Sequence, residues 1–228
     1  MIPVLFEDGD ILAVNKPEGL ASIPERTKAK DSLVSLLSSK FNDRLFIVHR
    51  IDKEASGVIL LAKNAPAHRF MNEQFRTRTV KKNYLILVHG NPQVRDGVID
   101  KPLRQFGSGR VGIDPKLGSQ SETGFRVVER FRSHALVEAR PVTGRRHQIR
   151  VHFFSIGHPV VGDSLYGDKV VQKQYARLML HAHGLEFRLL SGERMKIEAP
   201  VPESFESILR SVRGGRPGGW SLSSYPSK

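Results

Sequence analysis

The sequence predicts an α+β domain, a mainly antiparallel mixed sheet flanked by helices, and three observations lead there. Many short apolar or alternating runs are separated by glycine and proline, which punctuate strands. The segments with helical spacing are few and do not alternate regularly with the strands, so the βαβ repeat of a parallel sheet is missing. The chain has 228 residues, 39% of them hydrophobic, which suffices for a proper core without covalent staples.

Taken in order, Ile11 to Val14 reads as a short buried strand stopped by Lys16, Pro17 and Gly19. Asp31 or Ser32 can cap a helix in which Leu33, Leu36, Leu37 and Phe41 follow the helical period. Val58 to Ala62 is a continuous apolar run of strand length, and Asn64 then sits where a helix cap belongs, with Pro66 in the first turn and Phe70, Met71 and Phe75 on one face. Tyr84 to Val88 is a further buried strand ending at Gly90. Asn91 to Gly124 is rich in glycine, proline and charge, and reads as loops with at most short strands around Val98-Ile99 and Val111 to Ile113. Strands resume at Gly124 to Arg132 and Ala135 to Ala139. A helix is expected over His147 to Ile156, strands over Leu178 to Phe187 and Met195 to Glu198, and a last helix capped by Ser204 and running through Phe205, Ile208, Leu209 and Val212. Residues 1–213 are expected to form a single domain, and residues 214–228, rich in Gly and Ser, a free tail with too little apolar content to fold.

There are no cysteines, which excludes disulfides, thiolate zinc sites and cysteine nucleophiles. Met1-Ile2-Pro3 leads into alternating apolar and acidic residues without a basic flank or long apolar core, so no export signal is expected. No stretch approaches a membrane span, and a cytoplasmic location fits best. Lys and Arg number 36 against 23 Asp and Glu, for a formal charge of +13. That balance suits a nucleic-acid partner or a merely solvated basic surface about equally. Clustering favours the first: Arg69, Arg76, Arg78, Lys81 and Lys82 stand against the single acid Glu73, and Arg140, Arg145, Arg146 and Arg150 crowd together later.

Two runs carry the chemistry. His49-Arg50-Ile51-Asp52-Lys53-Glu54-Ala55-Ser56-Gly57 places a carboxylate, Asp52, two residues after an arginine in a turn-forming segment. Thr143-Gly144-Arg145-Arg146-His147-Gln148-Ile149-Arg150-Val151-His152 supplies cations. An acid acting on an anionic polymer needs such cations to hold the polymer and to keep the acid ionised. Two look-alikes fall away on context. Gly107-Ser108-Gly109-Arg110-Val111-Gly112 spells a dinucleotide fingerprint but follows no clean strand and meets Asp114-Pro115; a flexible glycine turn is the better reading. His49 to Asp52 resembles a kinase loop, yet Ile51 interrupts it and no Asp-Phe-Gly follows. The nine histidines offer the pairs His147/His152 and His181/His183, but neither comes with a third ligand in a fixed pattern, so no metal site is expected.

These runs, with Lys82-Asn83-Tyr84, closely resemble the RluA-type pseudouridine synthases. Asp8 to Leu20, Gly157 to Asp163 with Tyr166-Gly167, and Leu178 to Ala182 are similar to the family's flanking motifs. The resemblance implies the pseudouridine-synthase catalytic fold and cofactor-free isomerisation of uridine in ribosomal and/or transfer RNA. Asp52 would be the catalytic carboxylate, acting as nucleophile or as an electrostatic and proton-handling partner. Arg150 would be its buried basic partner, Tyr84 the active-site tyrosine that stacks on the base, and Arg50 the residue filling the space left by a flipped uridine. His49, Arg76, Arg78, Lys81, Lys82, Arg145, Arg146 and His147 are the candidate RNA contacts. Ile51 and Ala55 depart from the family's usual Leu and Thr, and Ala55 lacks a hydroxyl that would stiffen the turn. The chain begins almost at the first motif, so the short form without a separate RNA-binding module is expected, taking a compact stem-loop and needing no obligate protein partner.

Each assignment has an ordinary alternative. Asp52 can be a turn cap, Arg150 a surface phosphate ligand, Tyr84 a core strand residue, and Arg50 a salt-bridge partner of Glu54 or Asp52. On a helix His147, Arg150, Val151 and Phe154 would share one face, which favours a buried Arg150. A catalytically silent RNA-binding protein on the same scaffold would be free to lose Asp52, Tyr84 and Arg150. A glycoside hydrolase would need a second carboxylate opposite Asp52, and Glu54 is too close along the chain to serve.

Overall fold

Alternation of apolar residues along the strands builds one large sheet in the computed structural model, which describes residues 2–24, 32–41 and 44–214. The first half supplies β1 (Val4–Glu7), β2 (Ile11–Lys16), helix α1 (Leu33–Phe41), β3 (Phe46–Ile47), β4 (Ser56–Ala62), helix α2 (Ala65–Arg76), β5 (Lys81–His89) and β6 (Asp96–Asp100). A hairpin of β7 (Leu103–Gln105) and β8 (Val111–Ile113) follows. Then come β9 (Glu122–Arg130), β10 (His134–Pro141), helices α3 (Gln148–Ser155) and α4 (Lys169–Gln172), β11 (Leu180–Arg188), β12 (Arg194–Glu198) and helix α5 (Glu203–Val212).

The strands lie in the order β1-β2-β4-β11-β5-β10-β9-β6, with β3 added to β4 and β12 to β11. Among the described residues every ladder of this sheet is antiparallel except β4 with β11, where His181 faces Ser56 and Ala182 faces Gly57. The sheet is therefore mixed and mainly antiparallel, as expected.

Strand β4 is buried along its whole length because both its faces are covered. Successive side chains point to opposite faces: Ile59 and Leu61 join one core cluster, Val58, Leu60 and Ala62 the other. Helices α1, α3 and α5 cover the first through Leu33 and Leu37, Ile149 and Phe153, and Phe205 and Leu209. Helix α2 covers the second through Ala67 and Met71. Its start is fixed as the sequence indicates, the Asn64 side chain accepting the Ala67 N–H at 2.9 Å. At α1 the Ser32 hydroxyl accepts the Ser35 N–H at 3.2 Å; Asp31 and the tail residues 215–228 lie outside the described residues.

Some expectations need correction. Ser204 does not cap α5; Pro202 stands at the cap without a side-chain bond, and the Ser204 hydroxyl is engaged elsewhere, donating to Glu18 Oε1 at 2.6 Å and accepting from Arg177 at 2.8 Å. Strands β1, β3 and β7 and the one-turn helix α4 have no counterpart among the expected elements, since each is too short to show a period. In α3 the expected face is only partly apolar, with Val151 buried and Phe154 exposed. Among the described residues no helix is long and apolar enough to cross a membrane.

Candidate active site

Asp52 sits in the turn that feeds β4, closed by the Ala55 N–H donating to the Asp52 carbonyl at 3.1 Å. Ala55 has no hydroxyl to stiffen this turn and is itself fully buried; the segment after β2 holds it from outside. The Lys16 ammonium donates to the carbonyls of Lys53 (3.1 Å), Pro17 (2.8 Å) and Leu20 (2.7 Å). The Gly19 N–H also reaches the Lys53 carbonyl, and the Ser22 hydroxyl donates to the Ile51 carbonyl at 2.8 Å. Lys16 is sealed from water. Burial pulls its pKa down to about 7, against the charges of Glu54, Asp52 and Glu18.

Gly57 lets the turn enter the sheet. Its φ is +117°, and an added Cβ would lie 2.2 Å from the Ala182 carbonyl oxygen, so β4 and β11 meet there only because the residue has no side chain. Behind the turn, the Ser56 hydroxyl accepts from Arg177 at 2.7 Å and bonds His181 Nδ1 at 2.9 Å. Arg177 also pairs with Glu18 at 3.0 Å. A buried polar set thus ties the turn to β11 and the start of α5.

Arg150, on the first turn of α3, meets Asp52 from across the cleft, Nη1 to Oδ2 at 3.0 Å. The arginine is 1% exposed and Asp52 20%. Its other edge makes a bidentate pair with the fully buried Asp163, at 2.7 and 2.8 Å, a geometry that suits guanidinium and carboxylate. Burial works against the arginine's charge, but the Asp163 bonds and charge, then Asp52, more than offset it and raise its pKa. Asp163 is in turn fixed by the N–H groups of Leu165 and Tyr166. Below the guanidinium lies the Tyr166 ring, 5.3 Å away, whose hydroxyl bonds His147 Nδ1 at 2.9 Å and accepts the Val111 N–H.

His147 is the cap of α3 and holds a left-handed backbone, φ 53°, rare for a residue with a Cβ. The loop before it is set by Gln148, whose Oε1 accepts from the Thr143 hydroxyl (2.6 Å) and the Arg145 N–H (3.0 Å) while Nε2 donates to the Glu122 carbonyl and Thr123. That frame points Arg145 outward.

Asp52, Arg150 and Tyr84 line one cavity of about 440 Å³. Tyr84 on β5 has Ala139 and Ala182 as its two strand neighbours, small residues beside its ring. Burial first, then the Asp52 charge, raise its pKa, so the phenol stays protonated at neutral pH. Its hydroxyl has no hydrogen-bond partner among the described residues. The rim carries Arg50, Arg76, Arg78, Lys82 and Arg145.

Among the other sequence candidates, Arg50 is exposed and makes no ion pair among the described residues, since Asp52 and, at 3.8 Å, Glu54 lie with Arg150 instead. His49 lines the cavity, yet its Nε2 accepts the Leu60 N–H at 2.9 Å and its ring stacks on Phe75. Burial, with Lys82 nearby, pulls it down to about 3, so it is a neutral wall. Arg76 pairs with Glu73 and Lys81 with Glu186 on the surface, whereas Arg78 has no such partner among the described residues. Lys82 donates to the Thr143 carbonyl at 2.9 Å, and burial, aided by Arg78, lowers its pKa to about 8. Arg146 is exposed but stands off the cavity wall. The ring nitrogens of His152 bond Thr123 and the Lys101 carbonyl, and those of His181 bond Ser56 and the Ala199 carbonyl. Sequence reasoning gave no role to Lys16, Asp163, Tyr166 or Arg177. Each acts through a partner distant along the chain, and only the unusual sequence of a lysine closing an apolar strand hinted at Lys16.

The chain matches the family described as RNA pseudouridylate synthase over residues 10–155. The chain belongs to this family and is a pseudouridine synthase, an isomerase. Within it the chain is of the RluA type. The ribosomal large subunit pseudouridine synthase C of Escherichia coli is 38% identical over 226 residues, covering 93% of this chain and 70% of the relative. That of Pasteurella multocida is 39% identical over 221 residues, covering 92% and 68%. An uncharacterized RNA pseudouridine synthase of Zymomonas mobilis is 35% identical over 211 residues, covering 90% of this chain and 96% of its own. Among solved structures, human RNA pseudouridylate synthase domain containing 4 superposes with a TM-score of 0.78 at 26% identity, covering 92% of this chain and 93% of that one.

Proposed function

We propose that this protein isomerises uridine in large-subunit ribosomal RNA, with Asp52 as its catalytic carboxylate. The observation that carries the reading is the 3.0 Å Asp52–Arg150 pair set beside Tyr84 at the base of a cation-rimmed cavity. The relatives named ribosomal large subunit pseudouridine synthase C support the choice of RNA. Isomerisation breaks the N1–C1′ bond, turns the base and joins C1′ to C5; the C5 proton leaves and N1 gains one, so nothing is added or lost overall.

Each side chain has one task in this scheme. Asp52 meets the ribose–base bond that breaks, and Arg150 keeps it oriented. Tyr84 offers its ring to the base, and its protonated hydroxyl can donate to it. A base paired within RNA must leave its stack to arrive here, and Arg50 at the mouth is placed to fill the space behind it. Arg78, Lys82 and Arg145 meet phosphates.

The test is tritium release from ribosomal RNA transcripts labelled at uracil C5. Asp52→Asn is expected to abolish release while leaving RNA affinity largely intact. Turnover retained by that variant overturns the assignment of Asp52.

The glycoside-hydrolase alternative finds no support in the site. Of the two other carboxylates that reach Arg150, Asp163 is sealed and fully occupied by Arg150 and two backbone N–H groups, and Glu54 stands two residues from Asp52 beside the same Arg150 nitrogen, so neither faces a substrate across the cleft from Asp52.

A further inference from the structure

The glycine-rich run that imitates a dinucleotide fingerprint has a different use. It forms the tip of the β7–β8 hairpin, a two-stranded sheet separate from the main one. The tip is closed by the Phe106 N–H donating to the Arg110 carbonyl at 2.9 Å and the Gly109 N–H to the Phe106 carbonyl at 2.8 Å. Its base is anchored, because Leu103 and Val111 pack with Val151 of α3 and Tyr166 in a small core of their own.

The outer side of the tip is unusual for a surface turn. Phe106 is 42% exposed and leans on Gly112, where an added Cβ would lie 3.0 Å from the ring. The Arg104 guanidinium stands 5.6 Å from the ring centre. Arg110 donates to the Leu165 carbonyl and lies 5.7 Å from the Tyr166 ring, the same ring that supports Arg150. Arg104 is neutralised by Asp114, but Arg110 and Lys116 have no carboxylate partner among the described residues. The tip therefore presents an aromatic face and net positive charge, and its Arg110 packs on the same Tyr166 ring as the arginine that holds Asp52.

We infer that this tip is a second RNA contact, which takes an unpaired nucleotide flanking the target uridine: Phe106 stacks on its base and Arg110 meets its phosphate. The inference rests on the reading of the Asp52 cavity as the uridine site. Stacking on an exposed ring beside cations is how single strands are held without reading their sequence. The sign of the charge argues for RNA as the occupant, since Arg110 and Lys116 stand beside the exposed Phe106 ring without a carboxylate partner among the described residues.

The experiment compares the parent protein with Phe106→Ala and Phe106→Trp. Affinity is read by fluorescence anisotropy on an oligouridylate and on an abasic ribose-phosphate oligomer of the same length; tritium release from labelled ribosomal transcripts is followed alongside. Phe106→Ala is expected to raise the Kd for oligouridylate about tenfold, the loss of one stacked base, with Phe106→Trp restoring it. The abasic oligomer is expected to bind parent and variant alike. Phe106 does not line the Asp52 cavity, so at subsaturating transcript Phe106→Ala should slow tritium release in step with its weaker binding, and Phe106→Trp should restore it. Unchanged affinity of Phe106→Ala for oligouridylate overturns the inference, as does an equal loss on the abasic oligomer. The first of these outcomes would point to a protein partner at the tip. A parent protein that binds oligouridylate through Phe106 but releases no tritium leaves this contact standing and brings down the Asp52 reading instead.

Discussion

Arg150 holds its charge between two carboxylates that do different things. Asp163 is sealed and grips the guanidinium along one edge, while Asp52 touches one nitrogen and lines the cavity. The division makes Asp163 a positioning residue, and it separates the two in experiment. Asp163→Asn removes a buried partner of a buried cation, and is expected to cost about 3 kcal/mol of stability in urea titration and to lower kcat more than it raises KM. Lys82 gives a pH signature. Its pKa, lowered to about 8, leaves it charged below that pH and neutral above. RNA affinity is therefore expected to weaken as pH rises from 7 to 9, and Lys82→Arg, which stays charged, should flatten that profile. An inflection that persists in Lys82→Arg would assign it to another group. Asp52, Arg150 and Tyr84 were legible because their motifs carry them; Asp163 was not, since its partner is brought to it by the packing of α3 and not by any local spacing.

At the level of elements, the turn before β4 is shaped by what lies against it. Lys16, Gly19 and Ser22 hold it from one side and Arg177 holds Ser56 from the other. Gly57 is the residue on which the parallel pairing depends. Gly57→Ala forces a Cβ to within 2.2 Å of the Ala182 carbonyl at a φ of +117°, and no rotamer change relieves a backbone clash. The variant is expected to lose about 3 kcal/mol or more and its activity with it, read as a fall in Tm and in tritium release; a variant with unchanged Tm would show that the strands can part. The long apolar runs of β4 and β5 were readable from sequence because burial on both faces leaves an unbroken hydrophobic stretch. Strands β1 and β7, of four and three residues, carry no period to read. The Ser204 cap was misread because its hydroxyl serves Glu18 and Arg177, a tertiary demand that local capping preference does not register.

Over the whole molecule the excess of +13 is not spread evenly in its effect. Of the clustered cations, Arg76 and Lys81 already have surface ion pairs and Arg69 does not line the cavity, so the rim acts chiefly through Arg78, Lys82 and Arg145. Neutralising these three is expected to reduce the slope of log affinity against log salt by about 2, at roughly 0.7 per phosphate contact on a single strand. An unchanged slope would remove this rim from the RNA interface. Composition left a nucleic-acid partner and a solvated surface about even and clustering favoured the first, while the fold shows which of the clustered cations already have a carboxylate partner.

The place of β11 between β4 and β5 has a consequence in time. Asp52 and Tyr84 are synthesised well before the strand that separates them in the sheet, and until Leu180–Arg188 arrives the inner edges of β4 and β5 have no partner. Contacts this distant along the chain form late and slowly. The nascent chain thus carries Asp52 and Tyr84 before the strand that joins β4 to β5 has been made, and the cavity they line is completed only after Leu180–Arg188 has emerged.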